Sequence, residues 1–139
     1  MITIRISRID LQYSLEYFFS FIEHLRRSIY ANNSNLNIRS FEMLLSLISI
    51  ASLDSAELKF NQKFINSTKK NLTIKLEPVE AFALYKALLQ IPIEANNLYA
   101  NHIRNLLIEQ IDYSIDIFQM HLIRRFCTKN KIPNSIESI

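Results

Sequence analysis

Three groups of side chains in this 139-residue sequence have the types and spacing to do chemistry. Lys59, Gln62, Lys63 and Asn66 fall at i, i+3, i+4 and i+7, on one face of a helix, and Lys69 and Lys70 come just beyond. Ammonium and carboxamide groups so arranged suit phosphates and base edges in a DNA major groove. Residues 40–66 add to this, because two apolar helical runs flank a polar break at Ser52 to Ser55, the layout of a helix-turn-helix-like unit. Against it, a Lys/Gln/Asn face is also what a solvated helix shows. The break lacks the usual glycine, and a net charge of +3 is modest for a nucleic-acid binder.

The second group is a polar stripe of His102, Glu109, Asp112 and Asp116. Carboxylates and a histidine are the right types for a metal or an acid–base pair. However, His102 stands two helical turns from the nearest carboxylate, and no HExxH or Glu-x-x-His spacing occurs. A helix with one wet face looks the same, so no metal site is expected. The third group, His121, Arg124, Arg125, Cys127, Lys129 and Lys131, places positive charge where it complements a helix C-terminus. Cys127 has cationic neighbours but no histidine at a spacing that would make it a nucleophile. No catalytic residue, metal ligand, cofactor or small-molecule ligand is assigned, and the chain is expected not to be an enzyme.

Composition sets the limits around these groups. The chain has Gly 0, where average usage near 7% would give roughly ten. Without glycine there is no P-loop, no Gly-rich dinucleotide fingerprint and no Gly-x-Ser-x-Gly elbow. Turns must use Asn or Asp, and asparagines gather at Asn32, Asn33, Asn35, Asn37, Asn96 and Asn97. Helices need few such turns, which favours an α fold. The single cysteine, Cys127, cannot form an internal disulfide and fits a reducing compartment. The start, Met1 to Ile6, is too polar and alternating for a signal peptide, and the apolar run Met43 to Leu53 is far short of the ~20 residues that span a bilayer. A cytoplasmic location without membrane association is expected.

The elements that must position these groups emerge from periodicity. Ile2, Ile4 and Ile6 alternate with polar residues, as do Leu72, Ile74 and Leu76, so strands at 2–6 and 72–76 are expected to pair. Ser7 as N-cap with Asp10 at N3, and Ile6 with Leu11 as a hydrophobic staple, predict a helix that ends in the asparagine-rich segment Ala31 to Asn37. A second, largely buried helix is expected from about Ile38 to Ser52. A third is expected from Asp54 as N-cap, with Glu57 at N3, to Asn66, turning Leu58, Phe64 and Ile65 to the core. Pro78 suits the first position of a helix running to Ile91, where Pro92 stops it. The last helix is predicted from about Ala95 to Thr128, with Ile103, Leu107, Ile111, Ile115, Phe118, Leu122 and Phe126 as one apolar line.

The expected fold is therefore mainly α. It is a single-domain bundle of about five helices, residues 1–128, around a long C-terminal helix, with a small two-stranded β element and a loosely ordered tail at 129–139. The last helix also carries apolar residues on neighbouring faces, Ile108, Ile117, Met120 and Ile123, more than its own domain needs to cover. The expectation is a non-enzymatic interaction or oligomerisation protein that meets a protein partner or a second copy through those residues. An accessory protein of a phage or other mobile element suits the small size and the Ile/Asn/Lys-rich composition of an AT-rich coding sequence. The alternative is a nucleic-acid-binding regulator using the Lys59 face.

Overall fold

The computed structural model describes residues 1–32 and 41–130; the side chains of 29–32, 41–44, 118, 121–123 and 125–130 lie outside the description. The alternation at the two ends of the fold forms one antiparallel pair, β1 (Ile2–Ser7) and β2 (Asn71–Leu76), with Ile2 opposite Leu76, Ile4 opposite Ile74 and Ile6 opposite Leu72. All six apolar side chains are buried on one face, and Arg5, Thr73 and Lys75 are exposed on the other.

Ser7 ends β1 and caps the first helix: its Oγ accepts from the Asp10 N–H at 3.2 Å, while Ile6 and Leu11 are both buried. The helix runs unbroken through α1 (Arg8–Tyr13), a π-helical turn (Ser14–Phe18) and α2 (Phe19–Asn32). Buried Ser14 donates its Oγ–H to the Asp10 carbonyl at 2.8 Å, inside this widened turn. The wider turn shifts the helical phase, so that consecutive Phe18 and Phe19 both reach the core while half-buried Tyr13 and Tyr17 stack on each other at 5.2 Å at its margin.

The largest correction concerns residues 40–66. In place of the expected two helices and a turn, the chain forms one helix, α3 (Phe41–Asn66), continuous through Ser52 to Ser55. The polar residues that resemble a cap have tertiary partners instead. Asp54 and Glu57 both pair with Arg26 of α2, at 2.8 and 3.1 Å, and Ser55 donates to Glu80. With those side chains engaged elsewhere, nothing interrupts the backbone ladder. The described residues thus hold four helical rods and no helix-turn-helix. The core face of α3 is Ala56, Phe60 and half-buried Phe64, a line at every fourth residue, which leaves Leu58 and Ile65 exposed. Leu45 and Ile48 are exposed as well, so the front of α3 is not the most buried part of the fold.

α4 (Pro78–Gln90) begins with Pro at its first position and a reciprocal capping box between Glu77 and Glu80. It stops at Ile91, whose extended backbone (ψ 120°) leads into Pro92. α5 (Leu98–Asn130) starts later than Ala95, because Asn97 caps it: its Oδ1 accepts from the Ala100 N–H at 3.1 Å. The helix includes Lys129 and Asn130, so the expected tail loses these two residues, and 131–139 lie outside the described residues.

The core gathers the inner sheet face with Phe18, Ile22, Phe60, Leu84, Leu88, Ile103, Leu107 and Ile111. α3 lies beside β2 and α5 beside β1. Where α5 meets β1, the Gln110 carboxamide accepts from the Arg5 N–H at 2.7 Å and donates to the Arg5 carbonyl at 2.9 Å, closing that strand edge as a neighbouring strand would. No described helix is long and apolar enough to cross a membrane.

Candidate functional site

The side chains singled out in the sequence fall into two places, the junction of α3 with β2 and the outer half of α5. At the first, Lys59 sits differently from a groove-reading lysine. Its Nζ lies 2.5 Å from Oε1 of Glu80, a carboxylate whose side chain is only 4% exposed, against 31% for Lys59. The same Oε1 accepts from the Glu77 N–H at 2.7 Å, and Oε2 accepts from the Ser55 hydroxyl. Burial by itself would raise the Glu80 carboxyl. Hydrogen bonds from Lys59, Ser55 and the Glu77 N–H, helped by the Lys59 charge, outweigh it and hold the group below its ordinary 4.5. Lys59 is thus engaged in joining α3 to α4.

The rest of the basic face remains in solvent. Gln62, Lys63, Asn66, Lys69 and Lys70 are exposed. Lys59, Gln62, Lys63 and Asn66 form one wall of an open groove of about 560 Å³, and Thr73, Ile74 and Lys75 of β2 form the other. Lys69 and Lys70 do not line it; the Lys70 carbonyl accepts from the Arg8 N–H at 2.8 Å and so extends the sheet. Sequence reasoning missed Thr73 and Lys75. The signal was present, since the alternation that buries Leu72, Ile74 and Leu76 must turn Thr73 and Lys75 outward. What it lacked was the neighbour, α3.

On α5, His102, Glu109, Asp112 and Asp116 are all exposed, and the described residues hold no group of three His, Cys, Asp or Glu side chains arranged to hold a metal ion. Asp112 acts on Tyr85 of α4, whose hydroxyl its negative charge raises above the ordinary 10.0. A second phenol–carboxylate pair joins the start of α5 to α1. The Tyr99 hydroxyl donates to Asp10 at 2.7 Å, and that hydrogen bond, with smaller help from burial and charge, pushes the phenol up to about 12. Neither pair is legible in the sequence, because in both the partners are far apart along the chain.

The expected partner surface divides. Ile108 is half-buried and packs against the core, so it does not face a partner. Ile117 and Met120 are exposed, and Tyr113, not singled out in the sequence, joins them at i, i+4 and i+7 on one side of α5. The Ile123 side chain falls outside the described residues, as do those of Phe118, Leu122, Phe126, His121, Arg125, Cys127, Lys129 and Lys131; Arg124 is exposed. Compared with known proteins, the chain matches no family model, no curated protein and no solved structure.

Proposed function

We propose that this chain is a non-enzymatic interaction protein that associates with a second copy of itself through the outer half of α5. One observation carries the proposal: the last buried residue of α5 among those described is Ile111, yet the helix runs on to Asn130. After Ile115, half-buried against the core, the helix continues for roughly 22 Å at 1.5 Å per residue. A helical segment of that length is marginal in water unless its apolar side packs against something. Tyr113, Ile117 and Met120 on that stretch are 69%, 37% and 53% exposed. They lie about 200° round the helix from Ile111 and Ile115, on the side away from the core.

The charges favour a second copy. In an antiparallel, two-fold pair of α5 helices centred on Met120, Asp116 of one copy comes level with Arg124 of the other, and both are exposed. Light scattering on the purified chain tests this, with a dimer expected. Met120→Glu, which sets two carboxylates together on the axis, should give a monomer, and Asp116→Arg should weaken the dimer. Asp116→Arg with Arg124→Asp should restore it. A wild-type chain that stays monomeric at high concentration overturns the proposal, as does a dimer indifferent to these changes. An accessory role in a phage or other mobile element fits the size and composition.

A further inference from the structure

The two edges of the small sheet are treated differently, and from this we infer a second binding surface. We propose that the groove between α3 and β2 takes an extended acidic segment of a partner protein as a third strand on β2. An antiparallel pair alternates hydrogen-bonded and non-hydrogen-bonded positions. Two observations give the phase here. Arg8 donates to Lys70 across the pair, and Arg5 turns both its N–H and its C=O away from β2, to Gln110. Arg5 opposite Thr73 and Thr3 opposite Lys75 are therefore non-hydrogen-bonded pairs. The N–H and C=O of Thr73 and Lys75 point to the outer side of β2. Among the described residues they meet no hydrogen-bonding partner there, whereas the equivalent groups of Arg5 are closed off by Gln110.

Such an edge is a template for strand addition, in which main-chain bonds supply affinity and side-chain surroundings choose the partner. The surroundings here are cationic. Lys63 and Lys75 line the groove, are exposed, and form no ion pair among the described residues; Lys59 beside them is already paired with Glu80. A groove of about 560 Å³ is room for a few extended residues. Donors and acceptors on the edge recur every second residue, about 6.8 Å apart, so an occupant with acidic residues at alternate positions matches edge and charge together. A second copy of β2 is disfavoured, because edge pairing would set lysines against lysines. A nucleic acid suits the lysines but offers no alternation of N–H and C=O to meet the edge.

The test uses the full chain and a short synthetic peptide alternating glutamate with valine. Its comparison set is the same peptide N-methylated at alternate residues, the lysine-for-glutamate peptide, and a single-stranded oligonucleotide of matched charge. Titration calorimetry should show binding of the acidic peptide that weakens with salt. Lys63→Glu with Lys75→Glu, both at exposed positions, should lower affinity by roughly two- to thirtyfold, the size expected for losing two surface charge pairs. The peptide should also protect the Thr73 and Lys75 amides from hydrogen exchange, and N-methylation should abolish binding. No binding at low salt overturns the proposal. So does binding without protection of those amides, or an oligonucleotide that binds more tightly than the peptide.

Discussion

The ion pair at the α3–α4 junction offers a quantitative test, because its members differ so much in exposure. Replacing Lys59 with Met keeps most of the aliphatic stem but leaves the Glu80 carboxylate, 4% exposed, with only Ser55 and the Glu77 N–H. Breaking a fully buried pair costs about 3–5 kcal/mol. Lys59 is 31% exposed, so solvent already screens part of the attraction, and about 2 kcal/mol is the reasonable expectation. Glu80→Gln removes the charge instead. It keeps an oxygen for the Glu77 N–H and lets Lys59 turn to water, so it should cost less, about 1 kcal/mol. The pH dependence separates this account from simple loss of packing. Glu80 is held below 4.5 in the folded chain, so its contribution is present above the ordinary carboxylate range and is lost as pH falls through its lowered value. The cost of Lys59→Met should therefore be full at neutral pH and shrink well below 4.5, where the carboxyl is protonated and no unpaired charge remains. Urea denaturation of the three proteins across that range measures it. If Lys59→Met costs nothing measurable at neutral pH, or the same at every pH, the account of Glu80 as a buried, hydrogen-bonded anion is wrong.

Two further outcomes rest on named contacts. Gln110→Ala removes both bonds to the Arg5 backbone and reopens the β1 edge, so stability should fall by about 1–2 kcal/mol and the Arg5 amide should exchange much faster; unchanged exchange would show that Gln110 does not close the edge. Tyr99, pushed up to about 12 by Asp10, favours the folded state fully below pH 10.0 and loses that contribution as pH rises through about 12. Asp10→Asn should bring one tyrosine back toward its ordinary range in a tyrosinate absorbance titration, and identical curves for the two proteins would refute the coupling.

Much of the architecture was legible because it is local. Ser7, Asp10, Ile6 and Leu11 announce a helix start with physics that operates over a few residues; the Ser7 cap forms, Ile6 and Leu11 are both buried, and the Asp10 carboxylate accepts from Tyr99. The same holds for Pro78 at the first position of α4, and for the two alternating segments that become β1 and β2. The misreading at Ser52 to Ser55 has an equally physical cause. An Asp with a Glu three residues later reads as a cap if its side chains serve their own backbone, and as an ordinary helical face if they serve another helix. Arg26 and Glu80 decide between these, and both lie in other elements. The basic face shows the same limit. Its lysines were visible, but that Lys59 is engaged, and that Lys63 shares a groove with Lys75, depends on α4 and β2.

By itself, then, the sequence determined that the chain is mainly helical, that two short strands lie ready to pair, and that no glycine-rich phosphate-binding motif occurs in it. It could do so because periodicity, capping and backbone freedom are properties of neighbouring residues. Only the tertiary structure decided which charges are engaged and which face solvent, that one sheet edge is closed by Gln110 while the other meets no partner among the described residues, and that Ile111 is the last buried residue of α5 among those described. Those outcomes depend on which surfaces meet across tens of residues of chain, and no local pattern encodes that.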